Sequence, residues 1–454
     1  MLEKDSLKIL LEAVERLDEG FSDLPAFTPP ATDLRKISAV LSMAAEKLQD
    51  NYPYFHPLYA GQMLKPPHPI ARLAYSLAQW INPNNHALDG GRASSAMEKQ
   101  AVAEIAHMFG WPQHLGHLTG GGTLANLEAL WVAGQIAPGK TVVASEQAHY
   151  THHRISGVLQ LPFASIPSDA RGRMDMDALR SRVLQGDVGT VVVTMGTTAT
   201  GSIDPLRDIL HLKEEFGFRV HADAAYGGYF TLVENLESDA RAEFDQIALV
   251  DSLVIDPHKH GLQPYGCGCI LFRDPAVGRL YQHDSPYTYF SSKELHLGEI
   301  SLECSRPGAA AVALWATQRL LPLVRGGEFA KGLGQGRDAA LELYSRLSAD
   351  ERFVTAFAPQ LDIVIFFPRS QSVSESSTLS RRLFDAAAAN HLHLAVAELP
   401  LAFFGPSLRA IEKDRATNTA TCLRSVLMKP AHREWLPQIW GLLDRSTDTV
   451  LHAP

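Results

Sequence analysis

Apolar residues recur along this chain with two different periods, and each period predicts a different kind of element. Near the N-terminus the apolar positions are spaced three and four apart, which predicts amphipathic helices over residues 5–20 and over Ile37–Leu48. The segment between them, Asp23–Thr32, is rich in proline and is expected to be irregular. We therefore expect residues 1–82 to form a helical and irregular N-terminal segment with an apolar face to bury.

Short apolar runs alternate with helical patterns between residues 83 and 325. The clearest runs predict strands near residues 141–145, 190–195, 218–223, 252–256 and 268–272. Helical spacing fills the gaps, for example over Pro205–Glu215. This alternation is typical of a mostly parallel sheet, so we predict an α/β large domain over residues 83–325.

The pattern changes after Gly326 and Gly327. A helical pattern comes first, and strand-like runs follow at Leu361–Phe367 and near residues 392–397. A last helix is predicted around residues 435–443. These elements predict a smaller α+β C-terminal domain over residues 326–454.

Composition narrows the class of protein. The 454 residues carry a formal net charge of −9, which favours neither nucleic acid nor an anionic membrane as a partner. The N-terminus lacks the apolar core of a signal peptide, and no apolar run is long enough to cross a bilayer. The four cysteines include no CxxC pair, so neither a metal site nor a disulfide framework is expected. Together these features favour a cytoplasmic enzyme.

The first chemical signal is a lysine that follows a buried strand. Asp256, Pro257, His258 and Lys259 come directly after the apolar run at residues 252–255. A lysine in such a place is costly unless it is paired or bound. A desolvated amine is also a good nucleophile, as a Schiff base with an aldehyde cofactor requires.

Three further signals stand upstream. Asp223 ends another predicted strand among small residues, where a carboxylate can pair with a protonated pyridine nitrogen. The glycines at residues 120–122 and Thr123 precede a helical pattern, which is typical of a phosphate cradle. His149 follows the strand at 141–145 and can stack on a ring. Because ligands of parallel sheets bind at the carboxyl ends of the strands, these groups together predict a site for pyridoxal 5′-phosphate.

The chain resembles the group II pyridoxal-phosphate-dependent amino-acid decarboxylases of fold type I, which include aromatic amino acid, tyrosine, glutamate and archaeal aspartate/tyrosine decarboxylases. The stretches that carry the resemblance, in the family's order, are 55–57, 119–126, 144–149, 195–198, 221–226, 256–259, 305–309 and 423–427. The resemblance implies a transferase-like fold with a mostly parallel central sheet flanked by helices. It also implies a homodimer with active sites at the interface, with the N-terminal segment packed on the partner.

The resemblance implies roles around the cofactor. Lys259 would form the internal aldimine, Asp223 would keep the pyridine nitrogen protonated, and His149 would stack on the ring. The other positions that match cofactor-binding residues of the family are Gly121, Gly122, Thr123, Thr198, Ala225, Asp256 and His258. The neighbours Tyr150, His152 and His153 are expected to be structural.

Four other residues keep two interpretations each. Phe55 and His56 match the stretch that lines the family's substrate entrance, and aromatic core packing is an equal alternative. Arg306 is expected to hold the wall of the site rather than to bind a substrate carboxylate. Arg424, which we expect to open a strand of the small domain, fits a salt bridge between domains or a substrate contact.

One departure concerns the proton donor. Relatives carry a proton-donating tyrosine on a mobile loop, and the equivalent position in this chain falls near Leu297 or Gly298. Tyr289 and His296 are the candidate acids. The predicted function is therefore decarboxylation of an L-amino acid, aromatic before acidic, to the amine and CO₂. The alternatives are a pyridoxal-phosphate-dependent aldehyde synthase, a carbon–carbon lyase, or a degenerate non-catalytic binding subunit.

Overall fold

Two β-sheets organise the chain in the computed structural model, which describes residues 4–282, 295–408, 411 and 418–452. The seven strands of the larger sheet are β1 (Leu115–Thr119), β2 (Thr141–Ser145), β3 (Phe163–Ile166), β4 (Val188–Thr194), β5 (Arg219–Asp223), β6 (Ser252–Ile255) and β7 (Gly268–Phe272). The four strands of the smaller sheet are β8 (Phe353–Thr355), β9 (Ile363–Pro368), β10 (Ala395–Pro400) and β11 (Thr419–Val426).

Helices surround both sheets. Those before the fifth strand are α1 (Lys4–Glu19), α2 (Leu34–Leu48), α3 (Pro69–Gln79), α4 (Leu88–Met108), α5 (Gly122–Ile136), α6 (Thr151–Val158), α7 (Met176–Val183) and α8 (Leu206–Phe216). The later ones are α9 (Ser238–Phe244), α10 (Gly308–Leu320), α11 (Glu328–Ala349), α12 (Val373–Ala389) and α13 (His432–His452). No helix in these described ranges combines the length and the apolar composition that crossing a membrane requires.

The larger sheet is mostly parallel, as predicted. Its strand order is β1-β7-β6-β5-β4-β2-β3, and only β7 runs antiparallel to its neighbours. β1 is antiparallel to β7, and β7 is antiparallel to β6. β1 therefore runs parallel to β6 and ends at the same edge of the sheet as β4, β5 and β6. All residues of β2, β6 and β7 are buried, because the sheet is covered on both faces.

The five predicted strands of the large domain correspond to β2, β4, β5, β6 and β7. Strands β1 and β3 were not predicted, and their sequences explain why. The first contains Gly116 and His117, and the second has four residues of which only one is fully buried. Their pairing with β7 and β2 holds them in the sheet despite this weak local signal.

The smaller sheet is antiparallel, with strand order β10-β11-β9-β8. It lies within the predicted C-terminal domain. The expectation that Arg424 opens a strand was wrong, because β11 begins at Thr419 and Arg424 pairs with residues of strands on both sides.

The N-terminal helices present the apolar face that their periodicity predicts. In α2 no residue is buried within the single chain. The large apolar side chains that α1 and α2 expose include Leu7, Leu11, Leu34, Val40, Leu41 and Met43. Apolar surface of this extent marks an interaction site rather than a solvated helix face.

A buried ion pair ties the start of α10 to the large sheet. The Arg306 Nη1 atom lies 2.6 Å from Glu98 Oε1 and 2.7 Å from the carbonyl oxygen of Leu118. Both charged side chains are almost fully buried, and the Leu118 amide also donates to Glu98 Oε1. These contacts favour the structural role that was expected for Arg306.

Replacing Arg306 by methionine is expected to destabilise the fold by about 3–5 kcal/mol, because it leaves the Glu98 carboxylate buried without a counter-charge. Urea unfolding of the two proteins measures the difference. Arg319→Met is the matched control, since Arg319 of α10 pairs with Glu104, which lies on α4 like Glu98, but is half exposed. Its expected effect is below about 1 kcal/mol, and equal losses in the two variants would contradict the structural role of Arg306.

Candidate active site

A cavity of about 560 Å³ opens at the carboxyl edge of the large sheet. Its walls include the ends of β4 and β5, the turn after β6 and the start of α5. All the residues predicted to bind a cofactor line this one cavity: Gly121, Gly122, Thr123, His149, Thr198, Ala225, Asp223, Asp256, His258 and Lys259. They come from distant parts of the sequence, and the parallel sheet brings them together.

Lys259 is held at the cavity by a carboxylate from its own turn. Its Nζ atom lies 3.0 Å from Asp256 Oδ2, and its amide donates to the main-chain carbonyl of Asp256. The Asp256 side chain is buried, and its Oδ1 atom has no hydrogen-bond partner among the described residues. A polar ligand that donates a hydrogen bond would satisfy this oxygen.

Asp223 is a buried carboxylate surrounded by hydrogen-bond donors. His152 Nε2 lies 2.7 Å from its Oδ2 atom, Asn126 Nδ2 donates to the same atom at 3.3 Å, and the Ala225 amide donates to Oδ1. Burial alone would raise the pKa of Asp223. The hydrogen bond from His152 and the nearby Lys259 outweigh burial and hold this pKa below its usual range. The carboxylate is therefore ionised at neutral pH and can hold a cation.

Two of these donors were missed by sequence reasoning. His152 was expected to be a structural neighbour, and it is a buried histidine whose hydrogen bond to Asp223 the sequence did not predict. The spacing offered a signal, since His152 stands three residues after His149, which places the two rings on nearby positions around the start of α6. Asn126 lies four residues after Gly122 in α5, on the same side of the helix, and its Oδ1 atom is 2.8 Å from His221 Nε2.

His149 lines the cavity with an oriented imidazole ring. Its Nδ1 atom lies 2.7 Å from Thr151 Oγ1, which fixes the ring relative to α6. Burial lowers the pKa of His149, and the positive charge of Lys259 acts in the same direction while Asp223 opposes it. The ring is therefore neutral at physiological pH, as an apolar stacking surface requires.

The start of α5 forms a cradle of main-chain amides. Gly121 has a φ of +151° and precedes the helix without any side-chain cap, so the first amides of the helix are not satisfied by a capping side chain. A Cβ atom on Gly122 would lie 2.7 Å from Asp256 Oδ2, which explains why glycine is needed there. Uncapped amides at the positive end of a helix are suited to a phosphate.

The remaining predicted residues lie elsewhere or outside the described residues. Phe55 lines a different cavity, and the His56 ring packs against Trp435 with centroids 4.8 Å apart. His296 is buried outside the cavity lining, and its Nδ1 atom accepts from the Leu88 amide. Tyr289 lies outside the described residues. These four roles remain predictions.

The donor set fits pyridoxal phosphate. Four groups that suit this cofactor line one cavity. They are a lysine for the aldehyde, an ionised carboxylate for the pyridine nitrogen, a neutral ring for stacking and a helix N-terminus for the phosphate. The uncapped amides of α5 and the unpartnered Asp256 oxygen are groups that such a ligand would satisfy. Among the described residues, no cluster of three or more His, Cys, Asp or Glu side chains is arranged to bind a metal ion.

Comparisons with known proteins agree with this donor set. Residues 127–368, more than half of the chain, match the model of the pyridoxal-dependent decarboxylase conserved domain. A probable L-tyrosine/L-aspartate decarboxylase of Methanothermobacter thermautotrophicus is 29% identical over 262 residues, which cover 57% of this chain and 70% of the relative. The L-tyrosine decarboxylase of Enterococcus faecium is 27% identical over 387 residues, covering 63% of this chain and 62% of the relative.

Solved structures show the same fold at lower identity. The crystal structure of Oryza sativa TDC with PLP and tryptamine has a TM-score of 0.79 at 18% identity, covering 99% of both chains. Mouse CSAD in its apo form has a TM-score of 0.76 at 19% identity, covering 97% of this chain and 99% of the other. Together with the match to the conserved domain, these findings show that the chain belongs to the pyridoxal-dependent decarboxylase family, whose cofactor is pyridoxal 5′-phosphate.

Proposed function

We propose that this protein decarboxylates an L-amino acid, with an aromatic side chain favoured, to the amine and CO₂. The observation that carries the proposal is the convergence of Lys259, Asp223, His149 and the start of α5 on one cavity. The relatives named as tyrosine and aspartate decarboxylases support an aromatic or an acidic substrate for this chain.

The bound cofactor supplies an electron sink for the electron pair left behind when CO₂ departs. Lys259 is the amine that would hold the cofactor's aldehyde until the substrate's amine replaces it. Asp223 would keep a proton on the pyridine nitrogen, because its carboxylate stays ionised in the buried site. His149 would orient the ring by packing on its face. The amides at the start of α5 would hold the phosphate.

Arg424 is our candidate cation for a substrate carboxylate, although it is not among the residues that line the cofactor cavity. Its side chain is 6% exposed and makes no salt bridge with any described residue, so the interpretation as a link between domains has no support. Its Nε and Nη2 atoms are buried without hydrogen-bond partners among the described residues. Burial lowers its pKa, and Tyr226, which lines the cofactor cavity, is one of the groups that interact with it electrostatically. We therefore favour a substrate contact for Arg424.

The protein is proposed to act as a homodimer. The apolar faces of α1 and α2 are exposed in the single chain, and α2 buries none of its residues. A second copy that covers these faces is consistent with the family resemblance, which implies active sites at the subunit interface.

Lys259→Ala is expected to leave a folded protein without turnover, because no other amine takes the lysine's place against Asp256.

A panel of L-amino acids, with CO₂, amine, aldehyde and peroxide all measured, tests the reaction and the substrate together. The wild type should release CO₂ and one amine in equal amounts and show a visible absorbance band that borohydride removes. The exposed Lys140→Ala variant is the control. Turnover in Lys259→Ala would refute the cofactor assignment, and aldehyde with peroxide in place of amine would refute the decarboxylase outcome.

His152→Leu is expected to weaken cofactor binding about ten- to a hundredfold, since a hydrogen bond to a charged group contributes about 1.5–3 kcal/mol. Titration of the apoprotein with cofactor, followed by absorbance, measures this loss independently of activity. His152→Gln keeps an N–H donor toward Asp223 and should recover part of the affinity.

The exposed His153 provides the control for the His152 series, as His153→Gln removes a neighbouring imidazole without touching Asp223. A purely structural role for His152 would lower the melting temperature of the leucine and glutamine variants equally and leave the cofactor affinity unchanged. That result would rule out a role for His152 in positioning Asp223.

The mass in solution is expected to be twice the chain mass of 49.7 kDa, because burial of the apolar faces of α1 and α2 favours association. Light scattering coupled to size exclusion measures it. Replacing Leu41 and Val40 on α2 by glutamate should shift the protein toward the monomer, whereas glutamate at the two polar, exposed positions Ser38 and Lys36 should not. A fully active monomer at assay concentration would contradict the shared site.

A further inference from the structure

A second cavity of about 590 Å³ shares no lining residue with the cofactor cavity. Its walls come from residues 55–69, 260–262, 321–335 and 428–431. Much of the lining is apolar, including Leu262, Leu321, Phe329, Leu333 and Met428. Two lysines, Lys65 and Lys429, stand among these apolar groups.

Each of the two ammonium groups has a single main-chain partner. The Lys65 Nζ atom donates to the carbonyl oxygen of Met428 at 3.3 Å, and the Lys429 Nζ atom donates to that of Tyr59 at 2.5 Å. No carboxylate of the described residues lies within 4.0 Å of either nitrogen. Lys429 is 6% exposed and lies over the Tyr59 ring. One neutral acceptor leaves two of the three N–H donors of each ammonium group available to a ligand.

The two lysines also oppose each other. Burial lowers the pKa of Lys429 to about 7, and the Lys65 ammonium adds to this effect. Burial likewise lowers the pKa of Lys65 to about 8, although the carboxylate of Asp362 partly offsets it. Such pairs of buried cations are stabilised by an anion between them.

His260 completes the inner wall with a neutral donor. Its ring is 1% exposed and packs between Tyr226 and Phe230, with centroids 4.7 and 5.0 Å away. Neither ring nitrogen has a hydrogen-bond partner among the described residues, although Asp362 Oδ2 lies 3.3 Å from Nε2 at an angle unsuited to a hydrogen bond. Burial lowers the pKa of His260 well below its ordinary value. This imidazole can donate to a ligand without adding charge.

The charged residues at the mouth do not cancel the inner cations. Glu328 and Lys331 are both exposed on the first turn of α11 and carry opposite charges. Solvent screens both of them, so the partly buried Lys65 and the buried Lys429 determine the sign of the potential inside the cavity.

We propose that this second cavity binds an organic anion, whose carboxylate or phosphate group contacts Lys65 and Lys429 while its apolar body packs against Leu262, Phe329 and Met428. The cofactor chemistry uses none of these groups. The second cavity nevertheless adjoins the cofactor cavity along the sequence, because His260 of the second cavity directly follows Lys259 of the cofactor cavity.

Titration calorimetry of the holoenzyme tests the proposal with three probes of similar size. The probes are 3-phenylpropionate, phenyl phosphate and the neutral 3-phenylpropionamide. One or both anions should bind, and the amide should bind at least about tenfold more weakly, a difference of about 1.4 kcal/mol. Which anion binds more tightly identifies the preferred charged group.

Variants locate the binding. Lys65→Met and Lys429→Met should each weaken the anion about tenfold or more, whereas Lys331→Met at the exposed mouth should change the affinity less than about threefold. Loss of an unpaired buried charge should not lower the melting temperature, because an apolar side chain of similar length fills the place. Lys65→Gln replaces Lys65→Met if the latter does not fold.

The pH dependence gives an independent readout. The titratable groups that interact with the two ammonium groups are Asp362 and His260 for Lys65, and Tyr59 and His432 for Lys429. Because both lysine pKa values are lowered, Lys429 and then Lys65 lose their protons as the pH rises from about 6.5 to about 9. Anion affinity should therefore fall over this range.

Three results would overturn the proposal. They are the absence of binding by either anion, equal binding of the neutral amide, and undiminished binding in both Lys65→Met and Lys429→Met. The last result would place the anion elsewhere, for instance at the active site, where it would also change the visible spectrum of the cofactor.

Discussion

Two carboxylates buried at the ends of neighbouring parallel strands, Asp223 and Asp256, set the conditions that the rest of the active site has to meet. An ionised carboxylate inside a protein is costly unless donors or cations compensate it. For Asp256 the cation is Lys259, three residues later in the same turn. For Asp223 the donors come from α5 and α6, through Asn126 and His152.

This requirement explains why the helices around the site start where they do. α5 begins at Gly122, where only glycine leaves room for Asp256, and its fifth residue, Asn126, reaches Asp223. α6 begins beside His149, and its second residue is His152. The same two helices, with His149 just before α6, therefore position the groups proposed to stack on the ring and to bind the phosphate, and they stabilise the carboxylate proposed to pair with a protonated pyridine nitrogen.

The positively charged side chains of the second cavity differ from Arg306 in how their charge is compensated. Arg306 is compensated by Glu98, and its position is fixed by several hydrogen bonds, as expected of a structural ion pair. The partly buried Lys65 and the buried Lys429 each donate one hydrogen bond to a main-chain carbonyl and have no carboxylate of the described residues in salt-bridge range. A charge that the fold itself leaves uncompensated is better explained by a ligand than by stability.

The local patterns of the amino-acid sequence predicted the fold class, the mostly parallel sheet and four chemical groups that line the cofactor cavity, whereas Thr198, Ala225, Asp256 and His258 were expected there only from the family resemblance. Strand ends marked by Asp223 and Lys259, and a glycine turn before a helix, are visible within a few residues. Strands β1 and β3 carried little local signal, and pairing across the sheet was needed to form them. Only the tertiary structure decided that His152 contacts Asp223, that Arg424 has no ion pair with a described residue and that Lys65 and Lys429 line one cavity. Each of these depends on the approach of side chains that are distant in sequence or that leave a helix in a particular direction, which local periodicity does not contain.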